Sequence, residues 1–221
     1  MTRLIAIFIP VVIGLGAFFV WFGSQTTIPG ANLGAVSAQE AADIDTSGVI
    51  EMTMGNPDAD VTVIEYASYT CPHCRDFHAG PFKKLKAEYI DTGKINFIYR
   101  EVYFDRFGLW AGMIARCGGP ERYFGFSDLL YTTQTDWARA GEPEQVVEQL
   151  RRIGRQGGLT NDELDACLSD GEMAQAMVAV FQENATADGV NSTPSFVIGG
   201  SKYSNMPYDE LTAILDKELG E

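Results

Sequence analysis

Val61-Thr62-Val63-Ile64-Glu65-Tyr66, running through Ala67-Ser68-Tyr69-Thr70 into Cys71-Pro72-His73-Cys74, decides how the rest of the chain is read. The first six residues are β-branched and largely apolar, as in a central strand buried on both faces. Pro72 suits the first turn of a helix, where its missing N–H would have no partner anyway. The stretch therefore predicts a strand, a short turn, and a helix that opens on two cysteines one turn apart. There, unpaired backbone N–H groups and the positive end of the helix dipole favour a thiolate at Cys71. A protonated His73 would stabilise that anion further. Cys74, one turn inside and less accessible, suits the part of resolving thiol. A stabilised Cys71 thiolate is also a good leaving group, so a Cys71–Cys74 disulfide would readily be reduced by other thiols. The plainer readings are an inert disulfide or half of a zinc site. Zinc would bring a second Cys/His pair at ligand spacing, whereas Cys117 and Cys167 stand apart with no histidine beside them. Arg75, not histidine, follows Cys74, which excludes a c-type haem.

Outward from this motif, the helical pattern runs over residues 72–89, with Pro81 predicting a kink. Ile95–Glu101 reads as the next strand and residues 49–54 as a short edge strand, giving a β-α-β unit. From about 105 to 189 the pattern is helical throughout. A first helix ends after Cys117 at Gly118-Gly119-Pro120, a stop signal. Others cover residues 121–133 and 144–155. Thr160-Asn161-Asp162-Glu163 is a capping box opening a short helix that holds Cys167, and a longer helix covers 172–187. Then come a strand at 195–198, Gly199-Gly200, a short strand at 202–203, and a final helix opened by Pro207. The class is α/β: β-α-β, a helical insertion, then β-β-α.

An apolar fraction of 46% in 221 residues is ample for a buried core. The net charge of −14 argues against a nucleic-acid partner, because phosphate binding needs clustered Lys and Arg. Residues 4–22 form an unbroken apolar run behind Arg3. Its length is nearer the roughly 20 residues of a spanning helix than the 7–15 of a secretory leader. The competing cleavage pattern, Val36-Ser37-Ala38, lies far beyond its end. Arg3 is followed by no basic residue until Arg75, which puts the N-terminus in the cytoplasm and the rest outside. Anchor and leader alike export the domain. Residues 23–47 read as a flexible linker, and 48–221 as the domain. In an oxidising compartment four cysteines make two pairs. Cys71–Cys74 leaves Cys117 and Cys167 for a second bond, with buried free thiols or a regulatory pair as alternatives.

Tyr69-Thr70-Cys71-Pro72-His73-Cys74, the preceding strand and the late Ser192-Thr193-Pro194-Ser195-Phe196 resemble the DsbA family of thioredoxin-fold oxidases. The resemblance runs from about residue 49 to the C-terminus, helical insertion included. It implies a thioredoxin fold with that insertion, and a cis-proline at Pro194 facing the cysteines. A cis bond there would leave the Thr193 backbone free to pair with a bound peptide. Threonine at 193 departs from the valine of the best-known oxidases, and its hydroxyl could bond a cysteine sulfur. The resemblance also makes Glu65 a buried acid able to relay protons to Cys74. A Cys117–Cys167 disulfide, closing about 50 residues, matches some alphaproteobacterial relatives. His78, five residues after His73 in the same helix, reads as a solvent-facing position, with a place in a metal site as the alternative.

The implied activity is periplasmic thiol–disulfide exchange, with no cofactor beyond the Cys71–Cys74 disulfide. Its substrates would be reduced, unfolded exported chains. A DsbB-type membrane protein would reoxidise it, and the domain would act as a monomer. Two rivals stand beside it. One is a disulfide isomerase or reductase, encouraged by Thr193. The other is a copper-binding thioredoxin-like chaperone using Cys71, Cys74 and His73.

Overall fold

The computed structural model describes residues 44–221. The anchor or leader at 1–22, and the linker as far as residue 43, lie outside the described residues. Among the described residues no helix is long and apolar enough to cross a membrane.

β2 (Val61–Ala67) lies at the centre of the sheet, parallel to β3 (Ile95–Glu101) and antiparallel to β4 (Ser195–Ile198). β1 (Met52–Gly55) borders β3 and β5 (Ser201–Ser204) borders β4, so the order is β1-β3-β2-β4-β5. β1 begins later than residue 49, because pairing with β3 starts at Met52 opposite Tyr99 while Val49 packs against the cluster of Leu109, Met113 and Met177 instead. Alternate residues of β2 and β3 face one layer, and Val63, Ile95 and Phe97 are fully buried there. Each such side chain contributes about 1.5–3 kcal/mol of burial. β4 and β5 turn at Gly199-Gly200, whose φ values of 56° and 76° suit a tight hairpin.

The helix expected over 72–89 is three pieces. Pro81 lacks an N–H and drives the residue before it out of the helical region. Gly80 accordingly sits at φ −133°, ψ −75°, between α1 (Pro72–Ala79) and α2 (Pro81–Leu85). A π-helical turn, Lys86–Ile90, finishes the segment and buries Tyr89 and Ile90.

The insertion between β3 and β4 opens with α3 (Arg106–Cys117), N-capped by the Asp105 carboxylate on the Gly108 N–H at 2.9 Å. Gly119 at φ 72° ends that segment and Pro120 starts α4 (Pro120–Thr132). A single turn, α5 (Gln134–Trp137), follows where the sequence has too few residues to show a period. Then come α6 (Pro143–Gln156), α7 (Asn161–Ser169) and α8 (Gly171–Ala187). Thr160 and Glu163 form the reciprocal capping box at the start of α7. Cys117, closing α3, is bonded to Cys167 in α7 (S–S 2.04 Å). The chain ends in α9 (Tyr208–Leu219), whose Leu211 and Leu215 are buried. α1 thus leaves the C-terminal end of the central strand and packs against α4 of the insertion. That junction holds the cysteines.

Candidate active site

Cys71 is the N-cap of α1, with extended backbone at φ −80°, ψ 120°. Its sulfur accepts the backbone N–H of Cys74 at 3.4 Å, the contact an aspartate or serine oxygen makes in an ordinary cap. Pro72 occupies the first helical turn and His73 the next position, both exposed. On the other side, the Cys71 sulfur lies 3.5 Å from the Thr193 carbonyl oxygen, to which it donates only when protonated. The Thr193-Pro194 peptide is cis and Pro194 is buried.

These contacts separate the two thiols. Cys71 is brought from the ordinary 9.0 to about 5, chiefly by the Cys74 thiol donating to its sulfur. Thr193 and the backbone N–H groups of Cys74 and His73 add to this, against the opposing cost of burial. His73 therefore acts on the sulfur through its backbone, with its ring turned to solvent. Cys74 has no exposed surface, and its thiol is pushed far up by burial, by the neighbouring Cys71 sulfur and by Glu65. One cysteine is a thiolate at neutral pH and the other a thiol.

Glu65 lies in the middle of β2, between Tyr99 of β3 and Phe196 of β4, and is fully buried. The expectation of a solvent-facing His78 is corrected here. His78 is 7% exposed, and its Nε2 lies 3.2 Å from both carboxylate oxygens of Glu65. Its ring is stacked between Phe82 and Tyr131, each 4.3 Å away between centroids. The reason is helical phase. Residues four apart share a face, so His78 points inward with Cys74, onto the strand that presents a buried carboxylate.

The insertion completes the site with groups the sequence did not single out. The Gln134 side-chain amide donates to the carbonyls of both Tyr69 and Cys71, each at 2.8 Å. Thr70 donates to the Asp105 carboxylate at 2.8 Å, so the N-cap of α3 also grips the residue before Cys71. Below them the Tyr69 hydroxyl meets those of Tyr123 (3.0 Å) and Ser127 (2.7 Å). No local pattern marks Gln134, whose partners lie 63 and 65 residues earlier. Asp105 stood in the sequence only as the start of the helical stretch.

A family model described as Thioredoxin matches residues 47–217. The chain belongs to the thioredoxin family. Among thioredoxin-family proteins it resembles a putative protein-disulfide oxidoreductase of Rickettsia bellii, 34% identical over 172 residues. That match covers 77% of this chain and 65% of the relative, so the chain spans just under two thirds of that protein. Disulfide bond formation protein D of Bacillus subtilis is 25% identical, over 75% of this chain and 76% of its own length. Among solved structures, alpha-DsbA1 of Wolbachia pipientis superposes with a TM-score of 0.70 at 29% identity. It is covered over 91% of its length, and this chain over 77%. Within the thioredoxin family, then, this is a DsbA-family member with the thioredoxin fold and its helical insertion.

Proposed function

We propose that this protein is a dithiol oxidase that introduces disulfides into exported polypeptides. The observation that carries the reading is the division of labour between a stabilised Cys71 thiolate and a buried, protonated Cys74. A substrate thiolate attacks the Cys71 sulfur of the Cys71–Cys74 disulfide. That bond breaks, and Cys74 leaves with the electron pair and takes up a proton. The substrate's second thiolate then attacks its own sulfur in the mixed disulfide and releases Cys71 as a thiolate. Two electrons have passed from the substrate dithiol to the protein. Stabilising the Cys71 thiolate favours that last departure and so favours oxidation.

Several features support a polypeptide substrate. The Thr193 carbonyl faces the nucleophile beside Pro194, where an extended chain can lie alongside. Phe104 is 58% exposed and adjoins Asp105, which grips Thr70 next to Cys71, so apolar surface lies near the reacting sulfur. The apolar run at 4–22, with Arg3 before it, supports a periplasmic position tethered to the cytoplasmic membrane. The electrons would pass from there to a quinone-linked membrane protein of the DsbB type. Thr193 also favours a second, milder activity, disulfide isomerisation, since it replaces the valine of strong oxidases.

The test is a synthetic peptide bearing two cysteine thiols, mixed with the oxidised protein. The reading predicts rapid intramolecular disulfide formation in the peptide and none with Cys71→Ser. A peptide left reduced, while the reduced protein rapidly cleaves a peptide disulfide, would make the protein a reductase.

A further inference from the structure

We propose that His78 is a positioning residue for exchange: it shares one proton with Glu65, and this pair serves the buried Cys74 sulfur and refills through His78. The inference rests on the exchange reading above and adds to it the group that connects Glu65 with solvent.

The geometry is specific. Glu65 has 0% of its side chain exposed and His78 keeps 6%, so the imidazole is the solvent end of the pair. Both carboxylate oxygens lie 3.2 Å from a single ring nitrogen, which a proton on either partner can bridge. Phe82 and Tyr131 hold the ring from its two faces, and Phe77 and Tyr99 meet it edge-on. Cys74 stands one turn before His78 on α1, within reach of the Glu65 charge. The titratable groups facing His78 are therefore Glu65 from β2, Tyr99 from β3, Tyr131 from α4, and Cys74 on its own helix. Burial holds Tyr99 and Tyr131 protonated well above neutral pH, so they take no part in that range. Imidazole is the side chain whose ordinary charge change falls between about pH 5 and 8.

A buried sulfur needs such a pair in both directions. When a substrate thiolate attacks Cys71, the Cys71–Cys74 bond breaks and its electron pair goes to Cys74. The sulfur takes the proton held by the pair, and the pair regains one from solvent through His78. In reoxidation the pair first releases its proton to solvent through His78, then takes the proton of Cys74, whose thiolate attacks Cys71 in its mixed disulfide with the reoxidising partner. The Cys71–Cys74 bond re-forms, and the partner sulfur leaves with the electrons.

The test is the rate at which glutathione reduces the oxidised full chain from about pH 5 to 8, for wild type, His78→Gln and Glu65→Gln. Glutamine at 78 keeps an N–H toward Glu65 but does not ionise. Both variants should slow reduction about tenfold or more, a modest share of what general acid catalysis provides. They should also lose the pH limb that remains in the wild-type profile once rates are divided by glutathione's own thiolate fraction, while Cys71 alkylation keeps its rate. An unchanged rate and profile in folded His78→Gln would overturn the proposal, and so would a uniform slowing with the limb intact. Should His78→Gln fail to fold, the wild type decides: slower reduction in D2O supports transfer through the pair, and equal rates overturn it. A wild type that exchanges with glutathione in no solvent would defeat the underlying reading, a separate outcome.

Discussion

The sulfur of Cys71 caps the helix that carries Cys74, accepting the Cys74 backbone N–H at 3.4 Å. A nucleophile in that position meets the unpaired N–H groups of the first turn directly. Thiolate absorbance of the reduced protein should therefore titrate with a midpoint near 5. A midpoint near the free-cysteine value of about 8.5 would mean that the cap does not stabilise the anion.

The same shift links the stability of the reduced protein to pH. The folded value of Cys71, about 5, lies below its ordinary 9.0, so its contribution is complete above about 9 and is lost as pH falls toward 5. Cys74 is shifted upward and remains a thiol on folding and unfolding alike below 9, so it adds no slope there. Reduced protein should therefore lose melting temperature, relative to the Cys71→Ser variant, between pH 8 and 5. Parallel curves for the two would contradict this.

Gln134→Leu should leave the Tyr69 and Cys71 carbonyls without their 2.8 Å donors. The Cys71 carbonyl keeps the Arg75 N–H at 3.2 Å, whereas the Tyr69 carbonyl loses its donor, so denaturant unfolding should show a loss of about 1–3 kcal/mol. A change below about 0.5 kcal/mol would mean that the insertion does not hold the cysteine turn.

The Cys117–Cys167 bond spans a sequence separation of 50 and joins α3 to α7, neither of which carries the thiol pair. Replacing both cysteines with serine should cost about 4 kcal/mol on the chain-entropy model. Peptide oxidation by Cys71–Cys74 should survive at a temperature where the variant stays folded. Loss of exchange in a folded variant would instead give the bond a part in the reaction.

What the sequence disclosed follows physical range. The central strand and the cysteine helix were legible because period and proline placement act over a few residues. Pro194 was legible only through resemblance, since nothing in Ser192-Thr193-Pro194 says what it faces. His78 stands four residues after Cys74, so helical phase already placed it on the inner face; what the sequence could not show was that Glu65 of β2 meets it there. Gln134 was invisible because its two acceptors are backbone atoms of a distant turn, and a lone glutamine on a one-turn helix carries no pattern.

The central claim is that Cys71–Cys74 is an oxidising pair, and its reduction potential tests that most directly. The isolated domain, equilibrated in glutathione buffers and scored by alkylation of Cys71, should give a value near the −120 mV typical of strong dithiol oxidases. A value near about −270 mV, the thioredoxin range, would contradict the account.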